Sequence, residues 1–234
     1  MLKRLMILCA VLAMVANVAI GQKKKNANPA MMPIEDQPGL PRVLLIGDSI
    51  SIGYTLAVRE QLKGAANVHR PTENCSSTNT GVAKLESWLG EKPWDVIHFN
   101  FGLHDLKYVK PGSNLIVPTD TPGSGFLVPL DQYESNLEKI VAKLKTTKAK
   151  LIWCSTTPVV AETTGRTTED PPRYNQIAER VMRKHGIAID DLFAFASPQL
   201  SEIQIPKNVH FTPAGSKVLA QQVAKSITEA LRSK

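Results

Sequence analysis

The stretch Arg42 to Ile50, with the sequence RVLLIGDSI, decides the fold of this chain. Its four consecutive apolar residues run into Gly47-Asp48-Ser49, and a helical pattern of apolar side chains begins soon afterwards. An unbroken apolar run closed by a glycine is typical of a strand buried on both faces, as in a parallel sheet. Open α/β sheets bind their ligands at the carboxyl ends of such strands. Ser49 is therefore the candidate nucleophile.

Strands and helices alternate along the rest of the chain. Further strands are predicted at residues 67–69, 95–101, 150–155 and 187–189, and helices at residues 52–62, 78–89, 131–144, 172–185 and from Thr212-Pro213 onward. This alternation predicts the α/β class: a three-layer α/β/α sandwich with a central parallel sheet of about five strands. Residues 110–129 hold four prolines and three glycines, which predicts a long irregular loop. Whether that loop is a lid or an edge decoration stays open.

The first 21 residues predict a signal peptide. Lys3 and Arg4 precede an apolar run from Leu5 to Ile20, and Ala19-Ile20-Gly21 offers the small residues of a cleavage site. The run is shorter than the roughly 20 apolar residues of a membrane span. We therefore expect cleavage after Gly21, export to the periplasm or the medium, and no stable membrane insertion afterwards. An uncleaved anchor is the alternative.

Residues 22–41 are rich in Lys, Asn and Pro and predict a flexible basic linker, which leaves residues 42–234 as one domain. The chain has 28 basic and 21 acidic residues but no nucleic-acid-binding motif, so no nucleic-acid partner is expected. No His or Cys pair has metal-ligand spacing, so neither a metal nor another cofactor is expected. Whether Cys75 and Cys154 form a disulfide stays open, as does the choice between a monomer and an oligomer.

A serine hydroxyl becomes a nucleophile only when a base takes its proton, and the chain offers five histidines. His98 lies mid-strand among apolar neighbours and is interpreted as a packed core residue. His185 ends a helix, where a cation is favourable, and His69 has no motif context. His104 and His210 follow strand-derived segments at the carboxyl edge of the predicted sheet, so they are the two candidates for chemistry.

Four short blocks, in this order, make the chain resemble the SGNH hydrolases, also called GDSL esterases and lipases. The resemblance covers Val43 to about Gln222. The blocks are Gly47-Asp48-Ser49, then NCSSTNTG from Asn74 to Gly81, then Gly102-Leu103-His104-Asp105, and finally Val209-His210-Phe211-Thr212. The resemblance implies a flavodoxin-like fold, Ser49 as nucleophile, His210 as general base, and no cofactor.

Two departures from the family pattern fall on the oxyanion hole. The second block lacks the family's glycine, and any small residue can supply the backbone N–H needed there, so Ser76 is placed as the donor. His104 stands where the family has an asparagine, and a neutral imidazole can donate one hydrogen bond. The resemblance thus implies an oxyanion hole made of Ser49 N–H, Ser76 N–H and His104.

A third departure falls on the acid that normally precedes the base by three residues, because Lys207 holds that position. The task of that acid is to hold the imidazole tautomer and to stabilise the imidazolium. Asn208 is the candidate for the first part, through its amide oxygen. Asp190 or Asp191 is an open alternative, as a carboxylate from another loop.

Together with the predicted signal peptide, the resemblance implies an exported serine esterase that hydrolyses carboxylic esters, with O-acetyl groups on carbohydrates as the expected target. Its expected partner is a small-molecule or polysaccharide ester. One alternative is a catalytically silent SGNH-fold protein that binds carbohydrate, which the missing acid motivates. The other is a lipid esterase of the lysophospholipase type.

Overall fold

The computed structural model describes residues 28–233. The predicted signal peptide, residues 1–21, lies outside this range. No helix among the described residues has both the length and the apolar character needed to cross a membrane. The strands are β1 Arg42–Ile46, β2 Asn67–His69, β3 Val96–Phe99, β4 Tyr108–Val109, β5 Gly125–Phe126, β6 Lys150–Cys154 and β7 Ala188–Asp190. The α-helices are α1 Ser49–Gln61, α2 Thr78–Leu89, α3 Leu130–Lys145, α4 Asp170–His185, α5 Leu192–Ala196, α6 Leu200–Ile203 and α7 Pro213–Arg232.

Five strands form one parallel sheet in the order β2-β1-β3-β6-β7. Helix α1 packs against α7, while α2, α3 and α4 pack in series, so that helices flank the sheet. Strand β3 is buried at every position and β1 from Val43 to Ile46, which explains their unbroken apolar sequences. The predicted three-layer α/β/α sandwich with a five-stranded parallel sheet is confirmed.

Three helices begin earlier than predicted, and one of them is α4, which begins at Asp170 and not at residue 172. Helix α1 begins at Ser49, three residues before Ile52, because the Asp48 side chain accepts from Ile50 N–H and caps the helix there. Helix α3 begins at Leu130, one residue before Asp131, with Pro129 at the N-cap position. The earlier start of α1 matters for function because it places Ser49 in the first turn of a helix.

The segment 110–129 is more regular than predicted. Strand β5 pairs antiparallel with β4, and Ile116 forms a further bridge to Val109. The segment also packs on the loop after β6, and strand β4 binds the same loop, where Gly165 O accepts from Tyr108 N–H at 2.9 Å. Gly165 has a φ of +63°, and a Cβ there would lie 2.4 Å from Ile116 Cγ1. The contact between these two loops therefore requires glycine at position 165.

The described part of the predicted linker, residues 28–41, lies against the domain. The Asn67 side chain accepts from Gln37 N–H at 2.8 Å and donates to Gln37 O at 3.0 Å. Asp36 and His69 Nε2 lie 2.6 Å apart, which gives His69 a structural partner. These contacts attach residues 28–41 to the domain surface, whereas the composition predicts a flexible tether.

A buried polar network lies in the core. His98 Nε2 on β3 lies 2.9 Å from Asp190 Oδ2 at the end of β7, and Gln222 Nε2 on α7 donates to Asp190 Oδ1 at 2.8 Å. The prediction of a packed core histidine at position 98 is confirmed. Cys75 and Cys154 are buried and free, so no disulfide joins them.

Candidate active site

Ser49 lies where β1 passes into α1, at the carboxyl edge of the sheet. The turn before it requires glycine, because a Cβ at Gly47 would lie 2.8 Å from Ser51 Cβ. The first N–H groups of a helix have no acceptor within the helix and point toward its positive end. The N–H of Ser49 is one of these groups, so it is available to an anion that approaches the Ser49 hydroxyl.

The side chains of Ser49, His210 and Asn208 form a line. Ser49 Oγ lies 2.8 Å from His210 Nε2, and Asn208 Oδ1 lies 2.8 Å from His210 Nδ1. The backbone N–H of His210 also donates to Asn208 Oδ1, at 2.9 Å. Because a backbone N–H can only donate, the Asn208 atom that faces it is the amide oxygen, and Nδ1 opposite the same oxygen carries the proton. Nε2 therefore presents its lone pair to the Ser49 hydroxyl, as a general base must.

The residues around His210 are anchored while its own side chain is exposed. Val209 and Phe211 are buried on either side of it. The backbone carbonyl of His210 accepts from Ile205 N–H at 2.9 Å, and the Thr212 hydroxyl accepts from Gly215 N–H to cap α7. Buried neighbours and a helix cap thus fix the backbone at His210, which holds the imidazole in reach of Ser49.

Ser76 and His104 form a second pair. Ser76 Oγ lies 3.2 Å from His104 Nδ1. Ser76 has a φ of +55°, in the left-handed region that favours glycine, which agrees with the glycine expected at this position from the resemblance. The N–H of Ser76 donates to Asn74 Oδ1 at 2.9 Å. This N–H can bind an oxyanion only if that bond opens or is shared.

The surroundings of His104 keep its imidazole neutral. Burial lowers the pKa of His104, and the positive charges of Lys107 and Arg166 lower it further, while the Asp48 carboxylate acts in the opposite direction. A neutral imidazole carries one N–H. When the Ser76 hydroxyl donates to Nδ1, that N–H is on Nε2, where it can serve as a hydrogen-bond donor.

Asp105 organises the loop that carries His104. Its Oδ1 accepts from Thr78 N–H at 2.9 Å and from Thr78 Oγ1 at 2.5 Å, which joins this loop to the start of α2. Burial raises the pKa of Asp105 to about 7, against the lowering effect of the bonds from Thr78. These contacts agree with a structural role for Asp105.

Arg70 is a site residue that the sequence analysis missed. It follows β2 and is 6% exposed. Its Nη1 donates to Ser51 Oγ at 2.9 Å and to Thr55 Oγ1 at 3.1 Å, and its Nη2 donates to Gly47 O at 3.2 Å and to Glu73 O at 3.4 Å. One guanidinium thereby joins the turn that carries Ser49 to the loop that carries Ser76. Its position directly after a predicted strand, at the carboxyl edge of the sheet, was the available indication.

The alternative carboxylates, Asp190 and Asp191, have partners other than His210. Asp190 is bonded to His98 and Gln222 in the core, and Asp191 accepts from Ser155 Oγ at 2.9 Å and from the first turn of α5. Within the part of the chain that the structure describes, neither carboxylate contacts His210. The amide of Asn208 therefore holds the position that an acid would occupy.

The sequence model of the GDSL-like lipase/acylhydrolase family matches residues 45–218. The chain belongs to this family. The match spans the parallel sheet from the last residues of β1 onward and includes all four sequence blocks. The resemblance to SGNH hydrolases is thus confirmed, and with it the assignment to a family of ester hydrolases.

Solved structures share this fold at low sequence identity. An acetyl xylan esterase, AlAXEase, has a TM-score of 0.63 at 16% identity, and the match covers 80% of this chain and 99% of that one. A lipase/acylhydrolase from Enterococcus faecalis has a TM-score of 0.65 at 17% identity, with 81% and 96% covered. The acetylxylan esterase Axe2 from Geobacillus stearothermophilus has a TM-score of 0.60 at 17% identity, with 83% and 97% covered. Among curated proteins, none matches the sequence.

Proposed function

We propose that the protein is a serine ester hydrolase in which Ser49 attacks the acyl carbon and His210 transfers the proton. The observation that carries this proposal is the line from Ser49 Oγ through His210 to Asn208 Oδ1, with two separations of 2.8 Å. As the Ser49 oxygen bonds to the carbonyl carbon, its proton passes to Nε2, and Nε2 then gives that proton to the leaving alcohol. Water then attacks the acyl carbon while His210 takes a proton from it. His210 passes this proton to Ser49 Oγ as the bond from that oxygen to the acyl carbon breaks, which releases the acid and restores Ser49.

The negative charge on the former carbonyl oxygen needs donors aimed at it. In our proposal the N–H of Ser49 and the Nε2–H of His104 supply them. Ser76 contributes through its hydroxyl, which fixes the tautomer of His104, and its N–H joins if the bond to Asn74 opens. The N-terminal end of helix α1, at Ser49, adds a favourable electrostatic potential for the anion.

Asn208 fulfils half of the role of a catalytic acid. Its amide oxygen holds the imidazole in the productive tautomer, as a carboxylate does. It carries no charge, so it stabilises the imidazolium less than a carboxylate does. We therefore infer an active enzyme with a slower chemical step than a relative with a full triad.

We infer that the substrate is an ester of a carbohydrate, with acetyl as the acyl group. Support comes from the fold shared with acetyl xylan esterases and from the exposed position of His210, which leaves room for a large alcohol. Export directed by residues 1–21 would bring the enzyme to such polymers. Amino-terminal sequencing of protein recovered from the periplasm or medium tests the export: the expected first residue is Gln22, and an intact Met1 contradicts it.

A second candidate function, carbohydrate binding without catalysis, is favoured by two observations. Asn208 replaces the acid, and the Ser76 N–H is already engaged by Asn74. Against this candidate stands the geometry between Ser49 and His210. A binding protein has no need of a base within 2.8 Å of a serine hydroxyl.

Labelling with a fluorophosphonate probe, together with hydrolysis of p-nitrophenyl acetate, separates the two functions. We expect the wild type to be labelled on Ser49 and to hydrolyse the ester, and Ser49→Ala to do neither. Ser87→Ala, which changes an exposed serine on α2, is the matched control and should behave as the wild type does. Equal rates for the wild type and Ser49→Ala contradict the proposed mechanism, and absent labelling supports the binding function.

A further inference from the structure

Arg166 lies beside the candidate oxyanion site and is held there at several points. Its Nε donates to Leu103 O at 3.0 Å, the carbonyl directly before His104. Its backbone N–H donates to Thr163 O at 3.3 Å. The preceding residue, Gly165, is fixed by the loop contact described above. Both the backbone and the start of the guanidinium are therefore positioned before any substrate arrives.

The terminal nitrogens of Arg166 are left for another partner. Within residues 28–233 neither terminal nitrogen has a hydrogen-bond acceptor. Both are accessible to solvent. The flanking acidic residues have other contacts: Glu162 pairs with Lys207 at 2.6 Å, Glu169 accepts from Thr168, and Asp170 pairs with Arg173 at 3.2 Å. The half-buried guanidinium thus keeps two N–H edges that no acceptor among the described residues occupies.

The positive charge around Arg166 exceeds the negative charge. Burial lowers the pKa of Arg166 to about 10, and the one carboxylate that counteracts this effect is Asp48, which caps α1. Burial also lowers the pKa of Lys107, and the charge of Arg166 lowers it further, so the two cations are neighbours. Placing a cation partly out of water without a paired anion costs free energy. A bound anion would offset that cost.

We propose that Arg166 binds a carboxylate on the ester substrate, so that the enzyme selects anionic esters. The planar guanidinium fork matches a carboxylate and binds it through two parallel hydrogen bonds, whereas a lysine offers a single point charge. The carboxylate belongs either to the acyl group, as in a dicarboxylic half-ester, or to the sugar ring, as in a uronic acid. This inference deepens the proposed function and rests on it.

Two matched substrate pairs test the proposal and distinguish the two sources. On the acyl side, mono-p-nitrophenyl succinate is compared with p-nitrophenyl butyrate, which has the same chain length without the charge. On the alcohol side, an O-acetylated methyl glucuronoside is compared with the O-acetylated methyl glucoside. The quantity measured is the ratio of kcat/KM for the charged substrate to that for the neutral one.

In at least one pair the wild type should favour the charged substrate, and Arg166→Gln should lower the ratio about tenfold to a hundredfold, as expected for the loss of charged hydrogen bonds. Arg166→Lys should retain part of the preference. Arg180 on α4 forms an exposed ion pair with Glu134 on α3, so Arg180→Gln removes an equal charge and should leave the ratio unchanged. A wild type without preference in either pair, or an unchanged ratio in Arg166→Gln, overturns the proposal.

A binding measurement keeps the proposal testable if the protein hydrolyses none of the four esters, a result that would count against the proposed function. Isothermal titration calorimetry of Ser49→Ala with methyl glucuronoside and with succinate monoamide reports carboxylate binding directly. Weaker binding in the double variant Ser49→Ala/Arg166→Gln then supports the carboxylate site on its own. Equal binding, or no binding to Ser49→Ala, refutes it.

Discussion

Replacement of Asn208 by aspartate should make the enzyme faster. Asn208 Oδ1 faces both the backbone N–H and Nδ1 of His210, at 2.9 and 2.8 Å, and an aspartate oxygen fits the same position without rearrangement. A hydrogen bond to a charged group contributes about 1.5–3 kcal/mol, against about 1 kcal/mol for a neutral one. The difference is about 0.5–2 kcal/mol. Both side chains are exposed, so solvent screening holds the gain below the upper end of this range, at about 1 kcal/mol.

This gain acts mainly on the transition state, because the imidazolium that the carboxylate stabilises forms only as Ser49 loses its proton. A change of about 1 kcal/mol corresponds to a roughly fivefold higher kcat. Asn208→Ala removes the acceptor and should lower kcat by about fivefold to tenfold. The aspartate variant is therefore expected to be the most active of the three proteins, the wild type intermediate, and the alanine variant the least active.

The assay is steady-state hydrolysis of p-nitrophenyl acetate over a range of pH, with melting temperatures to show that all three proteins are folded. A carboxylate favours the protonated imidazole, which is inactive as a base, so the acid limb of the Asn208→Asp profile should move to higher pH. A folded Asn208→Asp variant that is slower than wild type at its optimum refutes the reasoning. So does an Asn208→Ala variant with the wild-type rate.

Three further changes test the loops around Ser49. Ser76→Gly should raise the free energy of unfolding by about 1 kcal/mol, because glycine adopts a left-handed φ without strain. It should lower kcat, because it removes the hydroxyl that faces His104. Thermal melts measure the first effect and steady-state kinetics the second. In the folded state the pKa of Asp105 is about 7, against 3.8 for the ordinary side chain, so between these two pH values the folded state holds a proton that the unfolded state has lost. The free energy of unfolding of the wild type should therefore fall by up to about 1.4 kcal/mol per pH unit as pH rises across that window. Asp105→Asn should abolish this slope in denaturant titrations at several pH values, and a slope equal to that of wild type would contradict the assignment. Gly102→Ala should unfold the loop after β3, because its φ is +150° and a Cβ would lie 2.0 Å from Thr156 Oγ1; an unchanged melting temperature is the contrary result.

Local sequence patterns were sufficient to predict the five strands of the parallel sheet and helices α1, α2, α3, α4 and α7, but not the short elements β4, β5, α5 and α6. The apolar run of β1, the helical spacing in α3 and the proline at the start of α7 each report on residues a few positions apart, where burial and capping act directly. The order of the motifs along the chain predicted that Ser49 and His210 act as a pair. The structure brings these two residues together.

Contacts between distant segments could not be predicted in this way. Arg70 binds Gly47 O across 23 positions, and Arg166 binds Leu103 O across 63. Such contacts depend on how loops meet at the sheet edge. The sequence around each arginine does not indicate which distant residue it binds. The attachment of residues 28–41 was missed for the same reason, since polar side chains such as Asn67 bind that segment and a polar composition alone predicts a tether.

The bond between His98 and Asp190 has a consequence for how the domain opens. Strand β7 is a three-residue edge strand that pairs only with β6 among the described strands, and a strand of that kind ordinarily frays first. Asp190 ties its end to the centre of the sheet and, through Gln222, to α7. Separating the edge would leave His98 Nε2 buried without its hydrogen-bond partner, at a cost of about 1–3 kcal/mol. The amide protons of β7 should therefore exchange with solvent together with those of β3. The segment between β7 and His210 then begins at an edge strand that unfolds only together with the rest of the sheet.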